Sequence, residues 1–282
     1  MLRILRSGRF YFWPIVTANT VAMSMVAGGS IGKAIGFSVV VSFLASYGFL
    51  INDLWDRDAD RVNQATRFEH SKPLVLRLAI LASGCFLIAG LGLAYWLGRR
   101  EFLTALVIAF GLSAYTLMLR KLFLLPTIVA AILATAPLWS PLLLWAANAH
   151  KWRWIFVAAV VIMVAARETL MDARDQPGDA VGGRDTMATL FGQRIARFVG
   201  AVLTISATAP FIVAIVYNTS GAPAINRVGA IILGAIVLAL LLKPTVGIIS
   251  DIKAERASIQ KYVKTSRLAM AIIPFIVLLW CR

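Results

Sequence analysis

The amino-acid sequence predicts an all-α, polytopic membrane protein. Hydrophobic residue types make up 60% of its 282 residues and charged types 15%, whereas a soluble domain is roughly 45–50% apolar and 25% charged. The mean hydropathy is +0.82. This composition argues against a water-soluble globular enzyme, a disordered chain and a secreted fold held by disulfides. Both cysteines, Cys85 and Cys281, lie in apolar runs, which argues against a Cys-based metal site.

Nine apolar segments follow one another along the chain, and we expect each of them to be a transmembrane helix. A helix needs about 20 mostly apolar residues to cross a bilayer, and it satisfies its backbone hydrogen bonds within one segment. The alternating pattern of a β-barrel is absent. The segments are Tyr11–Ala27, Ala34–Leu54, Leu74–Leu97, Phe102–Leu119, Leu122–Trp145, Trp154–Met171, Ala196–Tyr217, Val228–Leu242 and Leu268–Cys281. We expect residues 1–282 to form a single integral-membrane domain of about nine helices.

The distribution of positive charge predicts the orientation in the membrane. With the N-terminus inside, 21 of the 28 Lys and Arg residues lie on the inner side of the membrane. Loops rich in Lys and Arg stay in the cytoplasm, so we expect a cytoplasmic N-terminus. The net charge of +15 then reflects topology and contact with anionic lipid headgroups. We expect the lipid bilayer, and no nucleic acid, to be the partner of the basic residues.

Nearly all of the acidic residues lie on the same inner side. Of the 13 Asp and Glu residues, only Glu101 falls on the outer side, and acidic residues contribute little to topology. Two clusters, residues 52–60 and 172–179, stand at the inner ends of the second and sixth segments. Both contain D-x-x-D-x-x-x-D, with a constant offset of 119 residues. The matched residues are Asp53, Asp56 and Asp60 in the first cluster and Asp172, Asp175 and Asp179 in the second.

The spacing of each triplet predicts one acidic stripe along a helix. Positions i, i+3 and i+7 fall within roughly 60° of one another around a helix axis. Asp58 points away from the first stripe, and we expect it to be a solvated charge. Glu168 falls one turn before Asp172, and we expect it to join the second stripe. Pro177 disfavours helix at the residue before it, so we expect Asp179 to lie on a loop.

Three carboxylates on one helix face repel one another, and in a low dielectric a cation or a proton must compensate them. Mg²⁺ meets this need, because it typically takes one or two carboxylates and leaves its other positions to water and phosphate oxygens. The two clusters therefore predict a site for two or more Mg²⁺ ions around one diphosphate. The alternative is a set of interfacial acids balanced by Arg57, Arg61 and Arg174.

Several cations near the clusters are candidates for holding the same anion. Lys72 is best placed, because it precedes Pro73 at the entry to the third segment. Arg120 and Lys121 come next, at a very short inner loop. Each of these charges is equally well explained as a topology signal or a headgroup contact. Further candidates are Arg61, Arg67, Arg174 and Arg184.

These residues resemble the signatures of the UbiA superfamily of intramembrane prenyltransferases. Its first signature, N-D-x-x-D-x-x-x-D, is present from Asn52 to Asp60. Its second, a D-x-x-D-x-x-G-D-like stretch followed by a T-L-x-x-x-x-G tail, is matched at residues 172–179 and 186–192. Y-x-x-x-L-K-R is matched from Tyr115 onward, with Arg in place of the usual Lys, and a basic residue before proline is matched by Lys72.

The resemblance implies an enzyme with nine helices around a central cavity. It implies transfer of a prenyl group from a Mg²⁺-bound prenyl diphosphate to an aromatic or other lipophilic acceptor, with the site opening on the cytoplasmic side. The expected catalytic residues are Asp53, Asp56, Asp60, Asp175 and Asp179. The expected metal ligands are Asn52, Asp53, Asp56, Asp60, Asp172, Asp175 and Asp179. The expected substrate-binding residues are Asn52, Arg67, Lys72, Tyr115, Arg120 and Lys121.

Three other functions fit the same features. A terpene cyclase of the same family captures the cation with a double bond of the substrate itself. An ion-coupled transporter also carries intramembrane carboxylates in repeats, although here the acids cluster at the inner surface and not at mid-span. A scaffold that recognises lipid phosphate would bind a prenyl diphosphate without turning it over.

Overall fold

The computed structural model describes residues 7–63, 68, 71–119, 122–146, 149–250 and 256–280, and within these ranges it contains helices and no strands. A short 3-10 helix, Phe10–Phe12, precedes the first α-helix. The α-helices are α1 (Trp13–Val26), α2 (Ile31–Trp55), α3 (Arg57–Val62), α4 (Pro73–Leu97), α5 (Arg99–Leu117), α6 (Leu125–Ala134), α7 (Ala136–Trp145), α8 (Lys151–Val181), α9 (Met187–Phe191), α10 (Gln193–Ser206), α11 (Thr208–Asn218), α12 (Ala224–Ser250) and α13 (Arg256–Leu278).

Six helices or continuous helix pairs in the described ranges are long and apolar enough to cross a membrane, and a seventh crossing is the pair α6–α7, which is bent by 64°. Each of the nine predicted segments overlaps a helix or helix pair, but the count of about nine spans is not confirmed. The helical stretch Phe10–Val26 is shorter than a full span. The first half of α13 carries Lys261, Lys264 and Arg267, which shorten its apolar part.

The outer surface of the bundle is apolar, as expected for a chain in contact with lipid. α4, for example, exposes Ile80, Ile88, Tyr95 and Trp96. Exposed apolar side chains of this number are unusual on a soluble monomer, whereas lipid solvates them. The chain is therefore an integral membrane protein that crosses the bilayer several times.

α8 lies at the centre of the larger buried core. Phe156 on this helix stacks on Phe211 of α11 at 5.2 Å between ring centroids and meets the edge of Trp280 at 4.8 Å. α10 packs closely on α8 because Gly200 has no side chain: a Cβ there would lie 2.7 Å from Leu170 Cγ. Small residues at such crossings are typical of packed transmembrane helices.

The first and last helices are in contact. α13 packs against α1, α12 and α8. The side-chain amide of Asn19 on α1 donates to the backbone oxygen of Ile15 at 2.8 Å and to that of Met270 on α13 at 3.2 Å. A second bundle edge forms where α2 packs against α4 and α5. These contacts surround the helices that carry the two acidic clusters.

Candidate functional site

The first acidic cluster spans the junction of α2 and α3. Asp53, Asp56 and Asp60 are 1%, 7% and 7% exposed, whereas Trp55 and Asp58 between them are exposed. The backbone hydrogen bonds continue through the junction, from Asp56 N to Asn52 O at 2.9 Å and from Asp60 N to Asp56 O at 2.8 Å. The helical periodicity therefore continues across the junction between α2 and α3. The three predicted carboxylates face inward together. The prediction that Asp58 is solvated is confirmed.

Two neighbouring groups hold the first cluster. The amide of Asn52 donates to Asp56 Oδ2 at 2.8 Å, which fixes the orientation of that carboxylate. Arg9 donates from Nη2 to Asp53 Oδ1 at 3.4 Å, and its guanidinium lies 4.2 Å from the ring centroid of Phe49. Sequence reasoning counts Arg9 only as a topology signal, because nothing in the local pattern links it to a residue 44 positions away.

The second acidic cluster lies along the last three turns of α8. Asp179 is 2% exposed and belongs to the helix, so the prediction of a loop at this residue is wrong. Asp172 Oδ2 accepts from the hydroxyl of Thr127 on α6 at 3.3 Å. Asp175 forms a two-point ion pair with Arg174, with 2.8 Å between Nε and Oδ1. Glu168 lies within electrostatic range of Asp172, as its predicted place on the stripe requires.

The side chain of Asn63 explains why α8 continues past Pro177. Asn63 Oδ1 accepts from the N–H of Gly178 at 3.1 Å, and Asn63 Nδ2 donates to the carbonyl of Asp175 at 3.0 Å. A proline disturbs a helix because it lacks an N–H and crowds the preceding turn. Asn63 supplies a donor and an acceptor to the backbone on either side of this proline, which compensates for the disturbance.

The same contact joins the two clusters. Asn63 follows the last residue of α3, which carries Asp60, and Gly178 precedes Asp179 on α8. A Cβ on Gly178 would lie 2.3 Å from Asn63 Nδ2 and 2.4 Å from the carbonyl oxygen of Ala59, so only glycine permits this approach. The two halves of the predicted site are therefore packed directly against each other.

A buried arginine lies among the acids of the second cluster. Arg184, in the loop after α8, donates from Nη1 to Asp179 Oδ1 at 3.1 Å, and its side chain is 14% exposed. Its Nε is buried and has no hydrogen-bond partner within the described part of the chain. Burial by itself lowers the pKa of a guanidinium, but the acidic groups around Arg184, among them Tyr115 on α5, more than reverse this effect and raise its pKa above the ordinary value.

The tail after the second cluster, residues 186–192, holds this arginine in place. Thr186 and Thr189 form a capping box at the start of α9, and Thr189 Oγ1 donates to the carbonyl of Arg184 at 2.8 Å. Gln176 on α8 donates from Nε2 to the carbonyl of Ala188 at 2.6 Å. The tail is thus folded back against α8.

The predicted substrate-binding residues lie in different places relative to the acidic clusters. Tyr115 lies within electrostatic range of Arg184 and Asp172, next to the second cluster. Lys72 is exposed at the start of α4. The remaining predicted cations lie outside the described residues: Arg67, Arg120 and Lys121.

The donor atoms fit Mg²⁺. The clusters offer carboxylate and amide oxygens from α2, α3 and α8, which are the ligands that this cation prefers. Among the residues that the structure describes, no three Asp, Glu, His or Cys side chains are grouped closely enough to hold a metal ion by themselves. A cation here would take one or two carboxylates and complete its shell with phosphate oxygens and water, which is the usual binding mode of Mg²⁺.

The chain spans about two thirds of the length of the curated relatives that it matches. The chain is 27% identical over 186 residues to the digeranylgeranylglyceryl phosphate synthase of Thermococcus kodakarensis, covering 64% of this chain and 66% of that protein. The synthase of the same name from Thermococcus gammatolerans is 31% identical over 182 residues, with 63% and 65% covered. That from Saccharolobus solfataricus is 27% identical over 214 residues, with 67% and 74% covered.

Solved structures share the fold over nearly the whole chain. A UbiA homologue from Archaeoglobus fulgidus, bound to DMAPP and Mg²⁺, superposes with a TM-score of 0.70 at 19% identity, covering 98% of this chain and 99% of that one. A UbiA homologue from Aeropyrum pernix K1 gives a TM-score of 0.67 at 16% identity, covering 95% and 96%.

The sequence model of the UbiA prenyltransferase family matches residues 11–248. This range contains both acidic clusters, the Asn63–Gly178 contact and the tail that holds Arg184. The chain therefore belongs to the UbiA prenyltransferase family.

Proposed function

We propose that this protein transfers a prenyl group from a prenyl diphosphate to a hydroxyl of a glyceryl phosphate lipid and releases diphosphate. The observation that carries the proposal is the direct packing of the two acidic clusters through Asn63 and Gly178. From the sequence we expect an aromatic or other lipophilic acceptor, and the names of the curated relatives support a glyceryl phosphate lipid and not an aromatic compound. The relative bound to DMAPP and Mg²⁺ supports the donor and the metal.

The residues of the first cluster would hold the donor headgroup from one side. Asp53, Asp56 and Asp60 are buried and face inward, and Asn52 orients the carboxylate of Asp56. Mg²⁺ bound by these carboxylates would neutralise charge on the leaving diphosphate. The acids themselves are too negative to approach a diphosphate without such a cation.

The residues of the second cluster would hold the donor headgroup from the other side. Asp172, Asp175 and Asp179 supply further carboxylates along α8. Arg184 supplies N–H donors that are already desolvated, and charge-assisted bonds from a guanidinium to phosphate oxygens are among the strongest in proteins. The predicted contacts of Arg67, Lys72, Tyr115, Arg120 and Lys121 with substrate remain part of this proposal.

Cleavage of the bond between carbon and diphosphate leaves an allylic cation on the prenyl group, and the electron pair departs with diphosphate. Electrostatic groups that act where this charge develops lower the barrier. The acceptor oxygen then forms the new bond to carbon, and its proton passes to the released diphosphate. Apolar helix faces around the prenyl chain would exclude water, which otherwise captures the cation.

We also propose that the N-terminus and the mouth of the site face the cytoplasm, within a single domain of residues 1–282. The excess of Lys and Arg on that side supports this orientation. Both clusters lie at the C-terminal ends of their helices, α2 and α8. Lys33 and Glu101, which pair at 3.1 Å, lie at the opposite end of α2.

The test is turnover by the purified protein in lipid nanodiscs, supplied with C10, C15 or C20 prenyl diphosphates and a prenylated glyceryl phosphate, with products identified by mass spectrometry. We expect a doubly prenylated lipid. Asp56→Asn and Asp175→Asn should each lower turnover about 100-fold or more, while Asp58→Asn, an exposed acid in the same segment, should not. Full activity of Asp56→Asn at ordinary Mg²⁺ would refute the proposed role.

Other products would identify the rival functions. A cyclic hydrocarbon or alcohol formed without acceptor would indicate a terpene cyclase. Binding of the prenyl diphosphate without any diphosphate release would indicate a scaffold, and ion flux without diphosphate release would indicate a transporter. Each of these results contradicts the proposal.

A further inference from the structure

The segment before α1, residues 7–12, is tied to the C-terminal half of α2, and we call it the strap. Ser46 on α2 donates from Oγ to the carbonyl of Gly8 in the strap at 2.9 Å. Trp13, the first residue of α1, donates from Nε1 to the same Ser46 hydroxyl at 2.9 Å. Ser46 is 1% exposed. One buried hydroxyl therefore holds the chain on both sides of Arg9.

Aromatic packing holds the strap against a second helix. The ring of Phe10 lies 5.2 Å from that of Trp13 and 5.6 Å from that of Phe86 on α4, measured between centroids. Trp13 in turn meets Phe43 on α2 edge to face at 5.5 Å. Such ring pairs add to the stabilisation that burial of their surface gives. The backbone at Arg9 is therefore fixed relative to both α2 and α4.

The backbone of Arg9 adopts a conformation that an arginine adopts at a cost. Its φ and ψ are 49° and 42°, in the left-handed region, and among the described residues other than glycine only Leu124 shares a positive φ. Glycine enters this region freely, and the chain places its glycine one position earlier, at Gly8. Strain of this kind persists where the surroundings offset it, and it is concentrated at functional sites.

The side chain of Arg9 lies against the first acidic cluster. Its Nη2 is 3.4 Å from Asp53 Oδ1, and its guanidinium carbon is 4.2 Å from the ring centroid of Phe49. Phe49 and Asp53 are one turn apart on α2, so both hold the same guanidinium. The side chains of Arg9 and Asp53 are 19% and 1% exposed. A permanent positive charge is thus fixed at the cluster in a largely desolvated position.

This charge has opposite effects on a metal ion and on a diphosphate. It repels a divalent cation that approaches the cluster alone, and it already compensates the carboxylate of Asp53 that such a cation would use. It attracts an anion, and it therefore favours a magnesium diphosphate complex that carries net negative charge. Because both charges are poorly solvated, the effects are stronger than they would be at an exposed site.

We propose that Arg9 is a positioning residue that makes Mg²⁺ binding at the first acidic cluster depend on diphosphate. Its charge, held on Asp53 by the strap, weakens the binding of Mg²⁺ alone and strengthens the binding of Mg²⁺ together with diphosphate. The inference rests on the proposed function for the identity of this diphosphate as the headgroup of the prenyl donor. The preference for the complex over the bare ion follows from the position of the charge.

Two titrations test the inference without turnover. The full-length protein in an uncharged detergent is titrated by calorimetry with Mg²⁺ alone and, separately, with the preformed complex of Mg²⁺ and inorganic diphosphate. In Arg9→Gln we expect the Kd for Mg²⁺ alone to fall about 10-fold and the Kd for the complex to rise about 10-fold. Arg77→Gln removes the same charge from an exposed position on α4 and should change neither value.

Two further variants separate the charge from the backbone. Arg9→Lys keeps the charge and should keep both Kd values close to those of the wild type. Arg9→Gly removes the side chain but suits the left-handed backbone, and we expect it to behave as Arg9→Gln does. Wild-type values in Arg9→Gly would limit Arg9 to its turn and overturn the inference. Weaker binding of both ligands in Arg9→Gln would indicate a damaged fold in place of a charge effect, and it would also overturn the inference.

Kinetics then connect Arg9 to the reaction. In Arg9→Gln we expect the KM for the prenyl diphosphate to rise about 10-fold, while the KM for the glyceryl phosphate lipid stays unchanged. Unchanged Kd values for Mg²⁺ and its complex, in a variant of a protein that forms the prenylated lipid, would refute the inference and leave the proposed function intact. Opposite shifts of the two Kd values in a protein that forms no product would refute the proposed function and leave the role of Arg9 intact.

Discussion

Asn63 and Gly178 are joined by a hydrogen bond of 3.1 Å, from the backbone N–H of the glycine to the side-chain oxygen of the asparagine, across 115 residues of sequence. The amide nitrogen of the same side chain binds the carbonyl of Asp175 at 3.0 Å. One neutral side chain therefore satisfies two backbone groups on either side of Pro177. It also fixes the distance between the two acidic clusters. The packing of the two acidic clusters therefore depends on a neutral side chain.

Replacing Asn63 should weaken the site more than the fold. Asn63→Ala leaves two backbone groups near Pro177 without their partners, at a cost of roughly 1–3 kcal/mol for each group that stays buried. We expect a lower unfolding temperature and a higher Mg²⁺ concentration for half-maximal activity. Thermal unfolding followed by tryptophan fluorescence and a Mg²⁺ titration of turnover measure the two effects. An unchanged Mg²⁺ requirement would mean that Asn63 is only a structural residue.

Gly178→Ala should have a similar effect for a steric reason. Its new methyl group would lie 2.4 Å from the carbonyl oxygen of Ala59, so α3 and α8 must separate. Gly182→Ala is the matched control, because a Cβ there lies 3.4 Å or more from its neighbours. We expect the control to keep wild-type turnover and Gly178→Ala to lose most of it. Equal turnover in the two variants would contradict the close approach of the clusters.

The contributions of Arg184 and Asp179 to stability should depend on each other. Their ion pair is largely buried, and removing one partner from such a pair costs roughly 3–5 kcal/mol. Arg184→Gln should therefore unfold at a lower temperature than the wild type. The double variant Arg184→Gln/Asp179→Asn should recover much of the stability but none of the activity. Recovery of activity in the double variant would rule out a direct role for either residue in the reaction.

Mg²⁺ and diphosphate should bind together. Because no three of the described acidic, His or Cys side chains form a metal site by themselves, Mg²⁺ alone should raise the unfolding temperature little. Mg²⁺ with inorganic diphosphate should raise it markedly, since a ligand at 100 times its Kd stabilises a protein by about 2.7 kcal/mol. Asp56→Asn should abolish this synergy and Asp58→Asn should retain it. Strong stabilisation by Mg²⁺ alone would indicate a preformed metal site.

The ion pair at the other end of α2 should affect stability alone. Glu101 is 4% exposed and accepts from Lys33 Nζ at 3.1 Å, but the lysine side chain is half exposed, so the pair is partly screened. Glu101→Gln should cost about 1 kcal/mol of stability and leave turnover and both KM values unchanged. A change in KM without a change in unfolding temperature would show that this end of the molecule communicates with the site.

The elements that depend on local periodicity could be predicted from the sequence. Helical spacing alone places Asp53, Asp56 and Asp60 on one side, and their burial agrees with it. The apolar segments predict the helices, because a backbone in lipid has few alternatives. The number of spans is harder to predict, since α1 is short and α13 mixes cations with apolar residues.

The contacts between distant parts of the chain could not be predicted. The proline rule places Asp179 on a loop, and it fails because Asn63, more than 100 residues away, supplies the missing hydrogen bonds. Arg9 looks like a topology signal until the fold brings it to Asp53. Local propensity is overridden in each case by a partner that only the tertiary structure provides.

The hydrogen bond from Asn19 to Met270 spans 251 residues, and this has a consequence for biosynthesis. α2, α3 and α8 leave the ribosome well before α13, so the acidic clusters are able to dock while translation continues. The contact between α13 and α1 forms only after the final helix has inserted. A nascent chain stalled before that point would carry both acidic clusters in a bundle whose first and last helices have not yet met.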